Sequence, residues 1–233
     1  MTDIVQKFRK YSDKYGVVHP AFAGVGRKAF PVWQAAGPVV SRGYIRRYCA
    51  ASGPRGLNLG SGSNCIPGLL NVDIDPRADA YVDITRPLPF PDACFDVIFS
   101  EEVLEHVDEP AGARLLAECF RALKPGGVIH IATPCLEYFG ARVSGEDAEG
   151  ADINQIFYEH GHRFIYSRPR LTRALEQAGF DGVRFFDYRD PQSLLGQHDS
   201  HADRFDHDPA ISHYTEAFKP GSGADLSAFA RTE

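Results

Sequence analysis

Short apolar runs closed by glycine or an acid recur from Gly56 onward: GLNLG, then LLNVDI, then FDVIFS. Each has the length of a buried strand, too short for a helix that must cover a core. Between Ala111 and Leu123 the pattern changes, with Leu115, Leu116, Cys119, Phe120 and Leu123 at helical spacing. Lys124-Pro125-Gly126-Gly127 ends that helix and hands over to the apolar run VIHIAT. A further helix is expected after Ser167, a candidate cap, with Pro169 in its first turn, Leu171, Ala174, Leu175 and Ala178 on one face and Gly179 as its stop. VRFFDY follows as a strand, and HYTEAF is the candidate for the last one. Strands alternating with helices predict an α/β fold: a doubly wound, mostly parallel sheet covered on both faces, with ligands at the carboxyl ends of the strands.

The chain of 233 residues is long enough for one domain with a sizeable core. Its formal charge of −6 argues against nucleic acid as the main partner. The charge is uneven: residues 1–50 hold nine basic side chains (Lys7, Arg9, Lys10, Lys14, Arg27, Lys28, Arg42, Arg46, Arg47) against Asp3 and Asp13, about +7. Residues 1–52 are therefore read as an extension of short helices and irregular chain, too broken by Gly and Pro for one long helix. Residues 53–233 form the main domain, with an Asp/His-rich insertion loop at 190–212. The five cysteines are scattered and never spaced as CxxC, so neither a disulfide framework nor a zinc site is expected. A reducing cytoplasm fits that usage. The charged start MTDIVQKFRKYSDKYG and the absence of a long apolar run lead us to expect neither signal peptide nor membrane association.

After the first apolar run comes Asn58-Leu59-Gly60-Ser61-Gly62-Ser63-Asn64. Glycines here let the backbone approach a ligand, and free amides at such a turn can hold an anionic or polar group. The same Gly-x-Gly also serves as a tight turn. Asp73 ends the second strand, where a carboxylate can accept both hydroxyls of a ribose. A dinucleotide fingerprint would require a third glycine, where Cys65 stands, and an acid about 20 residues further on. An NAD-linked oxidoreductase is thereby disfavoured.

The stretch Val82-Asp83-Ile84-Thr85-Arg86-Pro87-Leu88-Pro89-Phe90-Pro91-Asp92-Ala93-Cys94-Phe95-Asp96-Val97-Ile98 resembles the signature of class I S-adenosylmethionine-dependent methyltransferases of the type 11 group. LKPGGVIHIATP and HRFIYSRPRLTRALEQAGF are similar to that family's turn into the fifth strand and its late helix, so the resemblance covers roughly residues 56–187. It implies a Rossmann-like, seven-stranded sheet and S-adenosylmethionine as cofactor. By that analogy Gly60, Ser61, Gly62 and Asn64 approach the methionine part, Asp73 takes the ribose, and Ile74 packs on adenine. Asp83 meets the adenine amino group, Ile84 lies on the ring's other side, and Ser100 and Glu101 flank the methionyl end. The chain departs from the family at Asn58, where an acid is usual, and at Asn64, where a glycine is usual. Only about ten residues separate Gly62 from Asp73, too few for the usual crossover helix.

Methyl transfer from a sulfonium is an in-line displacement that needs alignment and dryness more than covalent help. If the acceptor must lose a proton, Glu159, His160 and His162 in YEHGHRF are candidates, together with His106. His106 is read as a packing residue, and His160 and His162 as the catalytic pair. His160-x-His162 with Glu159, and the 197–208 stretch, carry metal-suited side chains without a recognised ligand spacing, so no metal is expected. An oxygen or nitrogen of a small molecule or glycan is the expected acceptor. The N-terminal segment, with Phe22, Phe30, Trp33 and Tyr44, reads as a lid over the acceptor, a cover for the sheet or a homodimer interface. The competing reading is a regulatory protein that binds S-adenosylmethionine or a nucleotide without turnover.

Overall fold

A computed structural model describes residues 20–230 of the chain, with side chains from Val32 onward. Lys7, Arg9, Lys10 and Lys14, and the side chains of Phe22 and Phe30, lie outside what is described. Seven strands form one sheet: β1 (Gly56–Leu59), β2 (Leu69–Asp73), β3 (Ala80–Tyr81), β4 (Phe95–Glu101), β5 (Leu123–Pro134), β6 (Asp181–Phe186) and β7 (Ser212–Phe218). Their order is β3-β2-β1-β4-β5-β7-β6. Neighbours pair in parallel from β3 to β5, and β7 runs antiparallel to both β5 and β6. The order reverses between β1 and β4, so a crevice opens beyond their carboxyl ends, where an open parallel sheet binds ligands.

The helices are α1 (Pro20–Ala50), α2 (Glu109–Ala122), α3 (Leu136–Val143), α4 (Ala151–Tyr158), α5 (Arg168–Ala178) and α6 (His201–Phe205). Asp108 caps α2 by accepting from Ala111 N at 2.9 Å, and the left-handed Gly179 ends α5. Ser167 does not cap α5 with its side chain; Glu137 Oε1 accepts from Arg168 N instead, at 2.8 Å. Leu115, Leu116 and Cys119 of α2 and Leu171 and Leu175 of α5 close one face of the sheet over Leu57, Val72, Ile98 and Ile129. The other face is packed by Ile66, Leu195 and Phe229, which lie in loops and single turns.

Two expectations about the N-terminal region need correction. Residues 20–50 form one continuous helix despite Pro31, Pro38 and four glycines. Tertiary anchoring overrides the weak local propensity: Ser41 Oγ accepts from Tyr81 N at 2.7 Å, Ile45 is buried, and Tyr48 Oη donates to Gly56 O at 2.9 Å. Gly37 fits only because it has no side chain, since a Cβ there would lie 2.8 Å from the Tyr81 ring. Cys49 and Cys94 form a disulfide across 45 residues of sequence, fastening α1 to the start of β4. Cysteine usage therefore no longer argues for a reducing compartment. No helix among the described residues is long and apolar enough to cross a membrane.

A buried polar network ties the 190–200 segment to the sheet. His130 on β5 is fully buried, with Nε2 2.8 Å from Asp199 Oδ1 and Nδ1 3.4 Å from Glu216 Oε1. Ser193 Oγ and Leu195 N donate to the same Glu216 oxygen at 2.7 and 2.9 Å. Burial disfavours the imidazolium, but Asp199 and Glu216 outweigh it and raise His130 from 6.5 to about 9. A pKa raised by folding adds stability below the unfolded value, and that stability is lost as pH rises through the folded one. The pair 6.5 and 9 corresponds to roughly 3 kcal/mol. We expect the thermal midpoint to fall between pH 6.5 and pH 9.5, as followed by circular dichroism; an equal midpoint at both would contradict a charged His130.

Candidate functional site

The connection from β1 to β2 shapes the first wall of the site. Nine residues, 60–68, join these parallel strands without a helix. Two buried asparagines make so short a crossover workable. Asn58 Nδ2 donates to Asn64 O at 2.8 Å and to Asn71 Oδ1 at 2.9 Å, while Asn71 Oδ1 also accepts from Ile66 N at 2.7 Å. An acid in place of Asn58 could make neither donation, which explains that departure from the family pattern. Gly60, at φ +73°, passes so close to β4's exit that a Cβ would lie 2.3 Å from Val103 Cγ2.

Four amides of this turn are engaged within the protein. Gly60 N and Ser61 N donate to Val72 O at 2.9 and 3.1 Å, Gly62 N to Asp73 Oδ2 at 2.8 Å, and Asn64 N to Ser61 O at 2.8 Å. Ser61 Oγ is buried without a hydrogen-bond partner.

A cavity of about 300 Å³ opens beside this turn. It brings together Gly60, Ser61, Gly62, Asn64, Glu101, His160 and His162, residues separated by up to a hundred positions in the chain. Asp73, Ile74, Asp83, Ile84 and Ser100 stand outside its lining. Asp73 closes β2 and reaches the site through Gly62, and its Oδ1 accepts from Asp75 N at 2.8 Å. Burial raises its pKa, against the pull of these amides. Ile74 is 42% exposed beside it. Asp83 accepts from Thr85 N, Thr85 Oγ1 and Arg86 Nε at 3.0, 2.6 and 3.2 Å, Ile84 packs against the main core, and Ser100 is buried in β4. Trp33 meets Tyr81 edge-on and does not line the cavity; Glu159 is exposed outside it.

Glu101 lines the cavity and also anchors the chain that follows Asp199. Oε1 accepts from Ser200 N and His201 N at 2.6 and 2.8 Å, and Oε2 from Ser200 Oγ and Arg204 Nη2 at 3.0 and 2.7 Å. Asn64 Nδ2 bridges to Ser200 Oγ at 3.0 Å. The 199–207 segment is thereby fastened over the β1 turn, and its His201, Arg204, Phe205 and His207 form a cavity wall.

Glu102, which the sequence reading passed over, holds the one strained backbone in the wall, at φ +56°. Its Oε1 accepts from Ser212 Oγ at 2.7 Å. Burial, with the neighbouring Glu101 charge, raises its pKa to about 7. The available signal was the doubled acid at the exit of the fourth strand. Burial pushes His162 the other way, to about 3, helped by His106 and His160. A neutral imidazole with so low a pKa offers hydrogen bonds rather than proton uptake. The cavity therefore combines a carboxylate poised near neutral pH with neutral imidazoles and apolar patches from Phe139, Ile156 and Ile211.

Residues 42–184, more than half the chain, match the methyltransferase-domain family. A Mycolicibacterium smegmatis protein named "Probable S-adenosylmethionine-dependent methyltransferase" is 33% identical over 106 residues, 46% of this chain but only 36% of that relative's length. A Xylella fastidiosa "Ubiquinone biosynthesis O-methyltransferase" is 26% identical over 209 residues, covering 74% of this chain and 81% of the relative. The crystal structure of an S-adenosylmethionine-dependent methyltransferase from Archaeoglobus fulgidus shares the fold, with TM-score 0.51 and 17% identity over 77% of this chain and 93% of that one. Strand order, a site at the β1/β4 reversal and the family match agree: this chain belongs to the methyltransferase-domain family, the class I fold whose cofactor is S-adenosylmethionine.

Proposed function

We propose that the chain transfers the methyl group of S-adenosylmethionine to an oxygen or nitrogen of a small-molecule or glycan acceptor. The observation that carries this reading is the cavity beside the β1 turn, walled by Glu102, His160 and His162 rather than closed by bulky apolar side chains. A regulatory binding protein would need room for the cofactor at the β1 turn but not the polar wall of Glu102, His160 and His162 beside it.

The residues present fit the cofactor. The orphaned Ser61 Oγ offers a hydroxyl to the methionine end, and beside Gly62, where a Cβ would meet nothing within 4 Å, there is room for it. Asp73 accepts one amide at each oxygen, and each oxygen retains a lone pair for a ribose hydroxyl. Ile74 presents exposed apolar surface for adenine, with Asp83 and Ile84 on the next loop. When bound, S-adenosylmethionine supplies a methyl group on a sulfonium, ready for displacement.

Phe139, Ile156, Phe205 and Ile211 exclude water from the cavity, and the segment pinned by Glu101 closes it. Glu102 takes the proton from an acceptor that must lose one, its pKa near 7 suiting it to that exchange. His160 and His162 orient the acceptor. Incubation with methyl-labelled S-adenosylmethionine and a panel of hydroxyl- and amine-bearing small molecules and glycans should label at least one class. His160→Ala should raise the acceptor KM about 10-fold, as expected for one lost hydrogen bond, with cofactor affinity unchanged. Label in no acceptor, with cofactor bound, would favour the regulatory reading.

A further inference from the structure

Behind the cavity, one carboxylate oxygen has no hydrogen-bond partner among the described residues. Glu105 is fully buried on the turn after β4; Thr133 Oγ1 donates to its Oε2 at 2.9 Å, and nothing hydrogen-bonds to Oε1. A buried polar atom left this way is costly unless something occupies its direction. Two imidazoles flank it: His106 Nε2 at 3.8 Å and His162 Nε2 at 3.9 Å, both measured to Oε1. Their rings meet edge to face with centroids 4.8 Å apart, and the three ligand atoms all lie within 4.8 Å of one another. His162 Nδ1 is a second buried atom without a partner.

This meeting of residues is built by the backbone. Glu105 and His106 are adjacent on one turn, and Arg163 N and Phe164 N donate to Glu105 O at 2.7 and 3.3 Å, delivering His162 to the same place. We propose that Glu105, His106 and His162 form a binding site for one divalent cation of the zinc class. Only His162 is shared with the 159–162 and 197–208 groupings that the sequence brings to notice; Glu105 and His106 lie outside both.

Two imidazoles and one carboxylate suit zinc and its transition-metal neighbours better than magnesium or calcium, which favour all-oxygen sets. Zinc at about 2.1 Å from each ligand holds tetrahedral donors roughly 3.4 Å apart. The observed 3.8 and 3.9 Å need only a small inward movement of side chains. Thr133, donating to the other Glu105 oxygen, is the kind of outer partner that orients a ligating carboxylate. Three protein ligands leave a position open, and His106 and His162 line the cavity, so that position faces the space assigned to the acceptor. An acceptor oxygen or nitrogen would complete the coordination, a role that rests on the methyl-transfer reading; the cation site itself does not.

The test is calorimetric titration of chelator-dialysed full-length protein with zinc chloride, with cobalt(II) absorption as a second readout and no cofactor or acceptor present. One zinc per chain should bind, and visible cobalt bands should show nitrogen and oxygen ligands at low coordination number. His106→Ala and His162→Ala should each weaken binding about 100-fold or more, with folding checked by circular dichroism. His213→Ala, in the separate Cys135–Glu137–His213 grouping, should bind as wild type does. No binding to the folded wild-type protein, wild-type affinity in the two histidine variants, or loss only in His213→Ala would overturn the site. Methyl transfer that survives complete removal of metal would overturn the acceptor role alone, and inactive protein that still binds zinc would count against methyl transfer instead.

Discussion

Replacing Asp73 by alanine should weaken S-adenosylmethionine binding about 100-fold. Hydrogen bonds to an ionised carboxylate contribute about 1.5–3 kcal/mol each, and the nearby Asp75 carboxylate is held by Arg77 Nε and Nη2 at 2.9 and 2.6 Å. The same substitution removes the acceptor for Gly62 N at 2.8 Å and for Asp75 N at 2.8 Å, so the β1 turn and the β2 exit lose their shared anchor. Asp73→Asn separates the two effects. It keeps an acceptor oxygen for one amide but loses the charge and one acceptor atom, so binding should fall less than in the alanine variant. Calorimetry reads both; unchanged affinity in Asp73→Ala would remove the ribose role.

Glu102→Gln should lower kcat about 100-fold on any acceptor that gives up a proton, with little change in cofactor affinity. Glutamine retains an oxygen for Ser212 Oγ, now 2.7 Å from Glu102 Oε1, so the wall should keep its shape. The wild-type rate should rise with pH through about 7, because the carboxyl raised to that value must be ionised to accept the proton. The variant should lose that rise. A profile with the same inflection in both would assign the titration to another group. His162, held neutral at about 3, contributes no inflection in this range.

The parts of the fold legible in the sequence are those whose signal is local. GLNLG, LLNVDI, FDVIFS and VIHIAT all lie within observed strands or their exits, and the apolar faces of α2 and α5 fall where helical spacing put them. β3 escaped notice because two residues carry no periodicity. The length of α1 was hidden by its prolines and glycines, since what holds it is docking on Tyr81, Gly56 and Cys94 rather than propensity. The Cys49–Cys94 pairing is a tertiary fact that spacing does not encode.

The site divides the same way. Gly60, Gly62 and Asp73 were readable because a strand exit requires particular residue types there. The engagement of Glu101 by Ser200, His201 and Arg204 was not, because those partners lie about a hundred positions away. Nor was the elevated pKa of Glu102, which arises first from burial, to which the adjacent Glu101 charge only adds. His160 and His162 stood out as a dipeptide repeat of imidazoles, but the different environments of the cavity wall decide what each can do.

The measurement that bears most directly on this account is titration of the wild-type chain with S-adenosylmethionine, S-adenosylhomocysteine and NAD by calorimetry. The account predicts that both sulfur compounds bind with one site per chain and that NAD does not. Binding of NAD alone, or of none of the three to folded protein, would contradict it.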